Sequence, residues 1–326
     1  MSDQADKLRD IVRAKIEAEA KNAETSDGLG QGLLENILGE QYKAKQRAKV
    51  ITVTSGKGGV GKSNFTVNLA IALGRLGKSV VVIDADFGLA NIEVLLGIVP
   101  KRSFADVFSQ KCTIKEVLTP GPAGVSFISG GSGLSNIADV SNNELRYIVE
   151  NLDILDSFAD FVLIDTGAGI SMPVMAFVFA SNETIIITTP EPTSITDAYA
   201  VIKKAKEEMG TPPLFKVVVN RVDSSEEGRE IFQKLSRVCT KYLLMEVESL
   251  GSIPYDHNLI KAVKKQMPVS IGFPEAVSTM AINEVCHRLL FGESAKLQPD
   301  KEVSAANESE GGMKSFVKRL AGLFKK

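Results

Sequence analysis

The sequence predicts an α/β fold in which helices flank a mostly parallel, doubly wound sheet. Continuous apolar or β-branched runs recur along the chain, as expected of strands that are buried on both faces. These runs span residues 50–54, 79–83, 125–129, 161–164, 184–188 and 215–219. A glycine-rich loop follows the first run and leads into an apolar-periodic helix, which is the order of a phosphate-binding strand–loop–helix unit.

Composition and charge are those of an ordinary globular protein. Of the 326 residues, 44% are hydrophobic and 24% are charged, and the formal net charge of −2 disfavours a general nucleic-acid surface. The three cysteines form no Cys-x-x-Cys pair, so we expect buried, reduced thiols, with an iron–sulfur cluster shared between subunits as the alternative. The polar start and the lack of a bilayer-spanning apolar stretch predict a cytoplasmic protein.

Shifts in composition divide the chain into five predicted parts. Residues 1–24 contain a short amphipathic helix, and a glycine-rich and then basic stretch makes residues 25–49 a linker. The alternating strands and helices of residues 50–292 form the predicted folded domain. Residues 293–312 are polar, with a proline and paired glycines, as in flexible linkers, and residues 313–326 return to helical apolar spacing.

The loop Gly56-Lys57-Gly58-Gly59-Val60-Gly61-Lys62-Ser63 has the spacing of a phosphate-binding loop. Its glycines let successive backbone N–H groups turn towards an anion, and the helix that follows points its positive end at the same place. The Lys62 ammonium is placed to reach the β- and γ-phosphates, and the Ser63 hydroxyl to bind Mg²⁺. We include Asn64, the next residue, among the predicted binding residues. Lys57 lies on the outer rim, where its ammonium reaches a neighbouring nucleotide or stays solvated.

Two apolar runs end in carboxylates, at the sheet edge where open α/β sheets bind their ligands. Asp84 and Asp86 follow the second predicted strand, and Asp165 ends the strand at 161–164. Asp165 has the Walker-B position that supports Mg²⁺, while a carboxylate at Asp84 or Asp86 can orient a water or support the Mg²⁺ shell. The alternative is a set of turn-forming aspartates, which are common at strand ends.

Two loops that follow later apolar segments are candidates for contact with a nucleotide base. One holds Asn220 and Arg221, and the other holds Pro254, Tyr255 and Asp256. Both segments also fit ordinary connecting loops, so this prediction depends on the family resemblance of the chain.

The C-terminal segment 313–326 is typical of a helix that lies on a membrane surface, because its polar face carries only basic charge. The apolar face consists of Met313, Phe316, Val317, Leu320, Leu323 and Phe324. A helix packed on its own domain is the alternative, which the long polar linker and the lack of acidic residues disfavour. One such helix binds anionic lipid only marginally, whereas two in a dimer bind much more tightly, so dimerisation would act as a membrane switch.

The phosphate loop with its extra Lys57, the Asp84-Ala85-Asp86 segment and the turn after Asp165 resemble the deviant Walker-A ATPases of the MinD/ParA family. The resemblance implies a Mg²⁺-dependent ATPase that binds ATP and ADP and is active as a homodimer with ATP between its subunits. It implies that Lys57 contacts the partner's phosphates and that Asp86 positions the attacking water. It also implies that Lys62 and Ser63 hold phosphate and Mg²⁺, with Asp165 supporting the metal.

Within this group, residues 191–199, 220–222 and 253–256 resemble the flagellar-number regulators of the FlhG (FleN/YlxH) family. Five N-terminal residues match the DQAxxLR element of that family: Asp3, Gln4, Ala5, Leu8 and Arg9. The resemblance implies that this element stimulates the partner GTPase FlhF, with Gln4 orienting the attacking water there. It further implies contacts with flagellar C-ring components and a peripheral position of the ATP-bound dimer on the inner face of the cell membrane.

Three other functions fit parts of the sequence. A MinD division-site regulator would share the core and the C-terminal helix, although MinD starts almost at its phosphate loop and usually has proline where this chain has Gly167. A ParA-type partitioning ATPase would bind DNA, which the acidic balance disfavours. A flagellar scaffold with vestigial ATP turnover would retain the same motifs and differ only in its chemistry.

Overall fold

An eight-stranded sheet forms the centre of the protein, which confirms the predicted α/β class. The computed structural model describes residues 47–86, 91–131, 152–210, 212–292 and 312–323. Its strands are β1 (Lys49–Ser55), β2 (Val80–Ala85), β3 (Thr119–Pro120), β4 (Ser126–Ile128), β5 (Phe161–Ala168), β6 (Glu183–Thr188), β7 (Leu214–Val222) and β8 (Glu248–Pro254). Their order in the sheet is β3-β4-β2-β5-β1-β6-β7-β8, and among these strands every neighbouring pair is parallel except β3 and β4.

Helices follow the strands and cover both faces of the sheet. They are α1 (Lys62–Arg75), α2 (Asn91–Leu96), α3 (Phe104–Phe108), α4 (Ile114–Val117), α5 (Met172–Ala180), α6 (Pro192–Met209), α7 (Ser225–Leu243), α8 (His257–Lys264), α9 (Val269–Gly272), α10 (Val277–Phe291) and α11 (Met313–Leu323), with short 3₁₀ helices at Pro122–Gly124 and Asp153–Ser157. Buried residues of α1 and α10 pack together on one face of the sheet. Helices α5, α6, α7 and α11 pack on the other face. None of these described helices combines the length and the apolar character needed to span a bilayer.

Each of the six predicted apolar runs corresponds to a strand, but no predicted run marks β3 or β8. Strand β8 is an edge strand in which Leu250 and Ile253 are its only fully buried residues, so it lacks a continuous apolar run. Strand β3 consists of two residues and contains Pro120, which is tolerated at a sheet edge because no ladder hydrogen bond is needed there.

The parallel arrangement brings the predicted carboxylates together at one edge. Asp84 on β2 stands opposite Asp165 on β5 in the strand register, and Asp165 in turn stands opposite Val53 on β1. The loop that follows Ser55 therefore leaves the sheet beside both carboxylates. This carboxyl edge is where a doubly wound sheet binds its ligands.

Helix α11 packs on its own domain, so our preference for a free C-terminal helix was wrong for this structure. Met313 and Phe316 are 0% exposed and Val317 is 1% exposed. Leu320 and Leu323 are partly buried against the same side of the sheet. Amphipathic spacing has the same form whether the apolar face meets lipid or protein, so the sequence pattern does not distinguish the two.

Polar contacts hold α11 at the amino edge of the sheet, opposite the carboxyl edge. The Asp156 carboxylate accepts hydrogen bonds from the backbone N–H of Met313 (2.7 Å), of Lys314 (3.2 Å) and of Ala48, just before β1 (3.1 Å). The half-buried Arg319 donates from Nε to the carbonyl of Ala180 at 2.7 Å. Its Nη2 also donates to the Asn182 side chain at 3.1 Å.

Some predicted residues lie outside the described part of the chain. They are Asp3, Gln4, Ala5, Leu8 and Arg9 of the N-terminal element and Phe324 of the C-terminal helix.

Candidate nucleotide-binding site

The phosphate loop depends on glycine at positions where another residue would not fit. Gly59 and Gly61 have positive φ angles of 77° and 94°, in the left-handed region that glycine adopts without strain. A Cβ atom at Gly56 would collide with the backbone of Asp197, at the start of α6. The loop therefore packs closely against α6 at Gly56, and its backbone makes a left-handed turn at Gly59 and Gly61.

The other predicted loop residues surround this turn. Val60 is buried and anchors the loop, while Gly58 and Gly59 are exposed to solvent. Ser63 and Asn64 lie in the first turn of α1, where the backbone N–H groups have no partner within the helix. The free N–H groups and the helix dipole together make this turn an anion site.

Lys62 forms a buried ion pair with the Walker-B carboxylate. Its Nζ lies 3.1 Å from Asp165 Oδ1, and the two side chains are 8% and 0% exposed. Thr66 donates to the same oxygen at 3.2 Å, whereas Oδ2 of Asp165 is buried and has no hydrogen-bond partner within the described residues. One oxygen of the carboxylate is thus satisfied by the protein and the other remains available.

Asp84 is a buried acid beside Asp165. Its carboxylate accepts backbone hydrogen bonds from Asp86 (3.1 Å), Asn91 (3.2 Å) and Ile92 (3.3 Å). Burial, followed by repulsion from the Asp165 charge, raises the pKa of Asp84 to about 7. Two adjacent acids of this kind are stabilised by a cation between or near them.

These residues fit a Mg²⁺ ion that is bound together with phosphate. Magnesium prefers oxygen ligands, and the free Oδ2 of Asp165, the Asp84 carboxylate and the Ser63 hydroxyl supply them. Within the described ranges, no cluster of three or more His, Cys, Asp or Glu side chains could hold a metal alone. The remaining ligands would therefore be phosphate oxygens and water, as is usual for Mg²⁺ at nucleotide sites.

Asp86 occupies a more open position next to the turn that follows β5. A Cβ atom at Gly167 would lie 3.5 Å from Asp86 Oδ1, so this carboxylate faces the turn. Burial raises the pKa of Asp86, and the nearby Lys62 charge partly offsets the increase. The Asn91 amide donates to Asp86 Oδ2 at 3.3 Å, a contact that sequence reasoning did not anticipate because no motif spacing marks Asn91.

Lys57 contacts the start of α6 and not the Walker-B carboxylate that holds Lys62. Its Nζ donates to Glu191 Oε2 at 2.5 Å and to Thr193 Oγ1 at 3.2 Å, at the start of α6. The side chain is 40% exposed. Lys57 therefore lies on the outer rim, accessible to a second molecule, whereas Lys62 lies inside the site.

A cavity of about 280 Å³ lies beside the loop, between β7, β8 and α8. The predicted residues Asn220, Arg221, Pro254, Tyr255 and Asp256 line it, together with Asn64 of α1. Tyr255 is half exposed and meets the ring of His257 edge to face at 5.3 Å. This open, partly aromatic cavity has the right place and size for a nucleobase.

The polar groups of three of these residues have protein partners. Asp256 Oδ1 accepts the backbone N–H of Asn258, and Oδ2 accepts the hydroxyl of Ser278, which ties the start of α8 to α10. Asn220 and Arg221 donate into the phosphate loop. Direct reading of a base by these three polar groups therefore remains a prediction.

Comparison with known proteins gives one consistent result. Residues 51–269 match the CobQ/CobB/MinD/ParA nucleotide-binding domain. The chain is 40% identical to the antiactivator FleN of Pseudomonas aeruginosa over 77% of this chain and 89% of FleN. It is 35% identical to the flagellum site-determining protein YlxH of Helicobacter pylori over 86% of this chain and 92% of YlxH.

A solved structure agrees with the fold. The septum site-determining protein MinD of Pyrococcus horikoshii, complexed with Mg-ADP, superposes with a TM-score of 0.61. The two sequences are 26% identical, and the match covers 77% of this chain and all of MinD.

Proposed function

The chain belongs to the MinD/ParA group of nucleotide-binding domains and, within it, to the FleN/YlxH family, and on that premise we propose that it is an ATP-driven dimerisation switch that controls flagellar number or placement. The observation that carries this proposal is the contrast between the two lysines of the phosphate loop. Lys62 is buried against Asp165, while Lys57 is exposed on the rim. One lysine serves the nucleotide of its own subunit, and the other serves that of a second subunit.

Within one subunit, the loop binds the phosphates of ATP through its backbone N–H groups and through Lys62. Lys62 moves from Asp165 to the phosphates, which leaves Asp165 with Asp84 and Ser63 to hold Mg²⁺. When bound, Mg²⁺ neutralises charge on the phosphates. Asp86 orients the attacking water, and the Asn91 amide fixes the direction of that carboxylate.

In the dimer, Lys57 leaves Glu191 and contacts the phosphates bound by the partner subunit. The pair with Glu191 is a surface ion pair, and ion pairs of this kind contribute little to stability. A contact with phosphate charge in a water-excluded interface is stronger, as for the basic residues that other NTPases supply from a partner. The exchange of partners therefore favours the ATP-bound dimer.

Phosphate release and molecular mass, measured with ATP and with ADP, test this mechanism. Asp86→Ala should lower phosphate release about 100-fold and accumulate the ATP-bound dimer. Lys57→Ala should abolish the dimer and retain nucleotide binding, whereas Lys78→Ala, an exposed lysine after α1, should behave as wild type. Equal phosphate release by wild type and Asp86→Ala would favour a scaffold, and a Lys57→Ala dimer would refute the role of Lys57.

We propose further that the dimer binds anionic lipid through two copies of α11. Because Met313, Phe316 and Val317 are buried, this helix must detach from its domain before its apolar face can enter a membrane. Two detached helices in one dimer bind much more tightly than one. Co-sedimentation with anionic vesicles should therefore show strong binding with ATP and weak binding with ADP, and equal binding would refute the switch.

The flagellar partners are proposed from the family. The N-terminal element with Gln4 would stimulate the GTPase FlhF, and the ATPase domain would contact C-ring components. Wild-type protein and Gln31→Ala should stimulate GTP hydrolysis by FlhF, and Gln4→Ala should not. A deletion strain should show changed flagellar counts; division defects instead would favour a MinD role, and salt-sensitive DNA binding would favour a ParA role.

A further inference from the structure

We propose that Arg221, together with Asn220, is a positioning residue that holds the phosphate loop in its anion-binding conformation. This role rests on the nucleotide-binding function proposed above, and it assigns a different task to residues expected to read the base. The guanidinium and the amide act on the loop backbone, so they determine phosphate affinity without touching a phosphate.

Two consecutive carbonyl groups of the loop are held by these two side chains. Arg221 Nη2 donates to the carbonyl of Gly59 at 2.8 Å, and Asn220 Nδ2 donates to the carbonyl of Val60 at 2.7 Å. In a trans peptide the carbonyl and the next N–H point in opposite directions. Fixing these carbonyls outward therefore directs the N–H groups of Val60 and Gly61 towards the interior of the turn, where an anion is bound.

Arg221 adopts an unfavourable backbone conformation in order to make its contact. Its φ angle is +61°, in the left-handed region, where the Cβ atom of a residue with a side chain crowds the following carbonyl oxygen. The pairing between β7 and β8 is irregular at this point, between Asn220 and Val222. Strain of this kind persists where the surrounding structure uses it, and here it aims the guanidinium at Gly59.

The glycine pattern of the loop matches the same contacts. A Cβ atom at Gly61 would lie only 2.5 Å from Asn220 Nδ2. Glycine at this position therefore allows the Asn220 amide to approach closely enough to bond the carbonyl of Val60. The contact between the loop and the end of β7 therefore depends on both Gly61 and Asn220.

The test compares two changes at Arg221 with a matched control elsewhere. Arg221→Gly and Arg221→Asn both tolerate the left-handed backbone and remove the guanidinium. Leu244→Gly changes the exposed residue at the end of α7, which also has a left-handed φ of 52° and lies outside the cavity. Affinity for ADP is measured by calorimetry, affinity for inorganic tripolyphosphate by competition with ADP, and stability by thermal unfolding.

Both Arg221 variants should bind ADP and tripolyphosphate roughly tenfold more weakly than wild type. Arg221→Gly should unfold at an equal or higher temperature than wild type, because the backbone strain is relieved, so weaker binding would not reflect a damaged fold. Leu244→Gly should show the same thermal trend with unchanged affinity. This combination separates loop positioning from general stability.

Three results would overturn the role. Unchanged ADP affinity in both variants would show that the contact with Gly59 does not matter for binding. A loss for ADP without a loss for tripolyphosphate would assign Arg221 to the base or ribose instead. Failure of the wild-type protein to bind either probe would refute the nucleotide-binding function itself, and this role with it.

Discussion

The two edges of the sheet differ in how far protein contacts satisfy their polar groups. At the carboxyl edge, Asp165 has a buried oxygen with no hydrogen-bond partner among the described residues, Asp84 has a raised pKa, and Arg221 has a left-handed backbone conformation. At the amino edge, Asp156 accepts three backbone N–H groups, and Arg319 donates to three acceptors. Under the proposed function, the first edge still lacks its ligand, whereas protein contacts already hold α11 at the second edge and must break before this helix reaches a membrane.

Phe316→Ala tests whether α11 belongs to the folded core at the amino edge. Of the four substitutions, it should lower the free energy of unfolding the most. Phe316 is fully buried and stacks on Phe177, with ring centroids 6.4 Å apart. Its truncation should lower the free energy of unfolding by about 3–5 kcal/mol, as measured by denaturant titration. Phe291→Ala, at the half-exposed end of α10, should cost less than about 1 kcal/mol. Unchanged stability would show that α11 is not part of the folded core.

Lys62→Ala addresses the carboxyl edge and should weaken ADP binding about 100-fold. The ammonium supplies a charge-assisted contact to phosphate, for which a loss of about 3 kcal/mol is expected. Calorimetry measures the affinity, with the exposed Lys78→Ala as the control. The rate of amide hydrogen exchange in α11 should not change, because this substitution leaves the contacts at the amino edge intact. Faster exchange there would show that the two edges are not separate.

Asp84→Asn tests whether the buried negative charge of Asp84 destabilises the fold at the carboxyl edge. The folded pKa of Asp84 is raised to about 7, so its contribution to stability is greatest at low pH and is lost as pH rises towards 7. Between pH 5 and pH 8 this loss amounts to about 2–3 kcal/mol. The stability difference between these two pH values, measured without nucleotide or metal, should therefore shrink in Asp84→Asn. If the stability difference between pH 5 and pH 8 is unchanged in Asp84→Asn, ionisation of Asp84 is not its cause.

Asp156→Ala should have the smallest effect on overall stability, about 1–2 kcal/mol, because it removes a helix cap and no apolar contact. It should nevertheless free α11, since Asp156 binds the first two N–H groups of that helix. Faster proteolysis near residue 312 and vesicle binding without ATP are the expected readouts. Asp160→Ala, which removes a carboxylate bonded to Ser79, should leave both unchanged. If α11 stays protected from proteolysis in Asp156→Ala, Asp156 is not the residue that holds this helix on its domain.

The sequence predicted the carboxyl edge much better than the amino edge. A phosphate loop has a fixed local spacing, and Asp84 and Asp165 directly end their apolar runs. The docking of α11 depends on Asp156, which is 157 residues away from Met313 in the chain. No local pattern encodes such a contact, and the pairs of Lys57 with Glu191 and of Arg221 with Gly59 were missed for the same reason.

The burial of α11 also has a consequence for synthesis and for truncated forms of the protein. This helix leaves the ribosome after every strand of the sheet, so a nascent chain forms the apolar surface of the sheet before α11 can cover it. Phe177 and Ala180 border that surface. A version cut before residue 312 would keep this apolar groove open to solvent, where it favours aggregation. Removal of the C-terminal helix should therefore lower the solubility of the protein, in addition to removing the lipid contact proposed above.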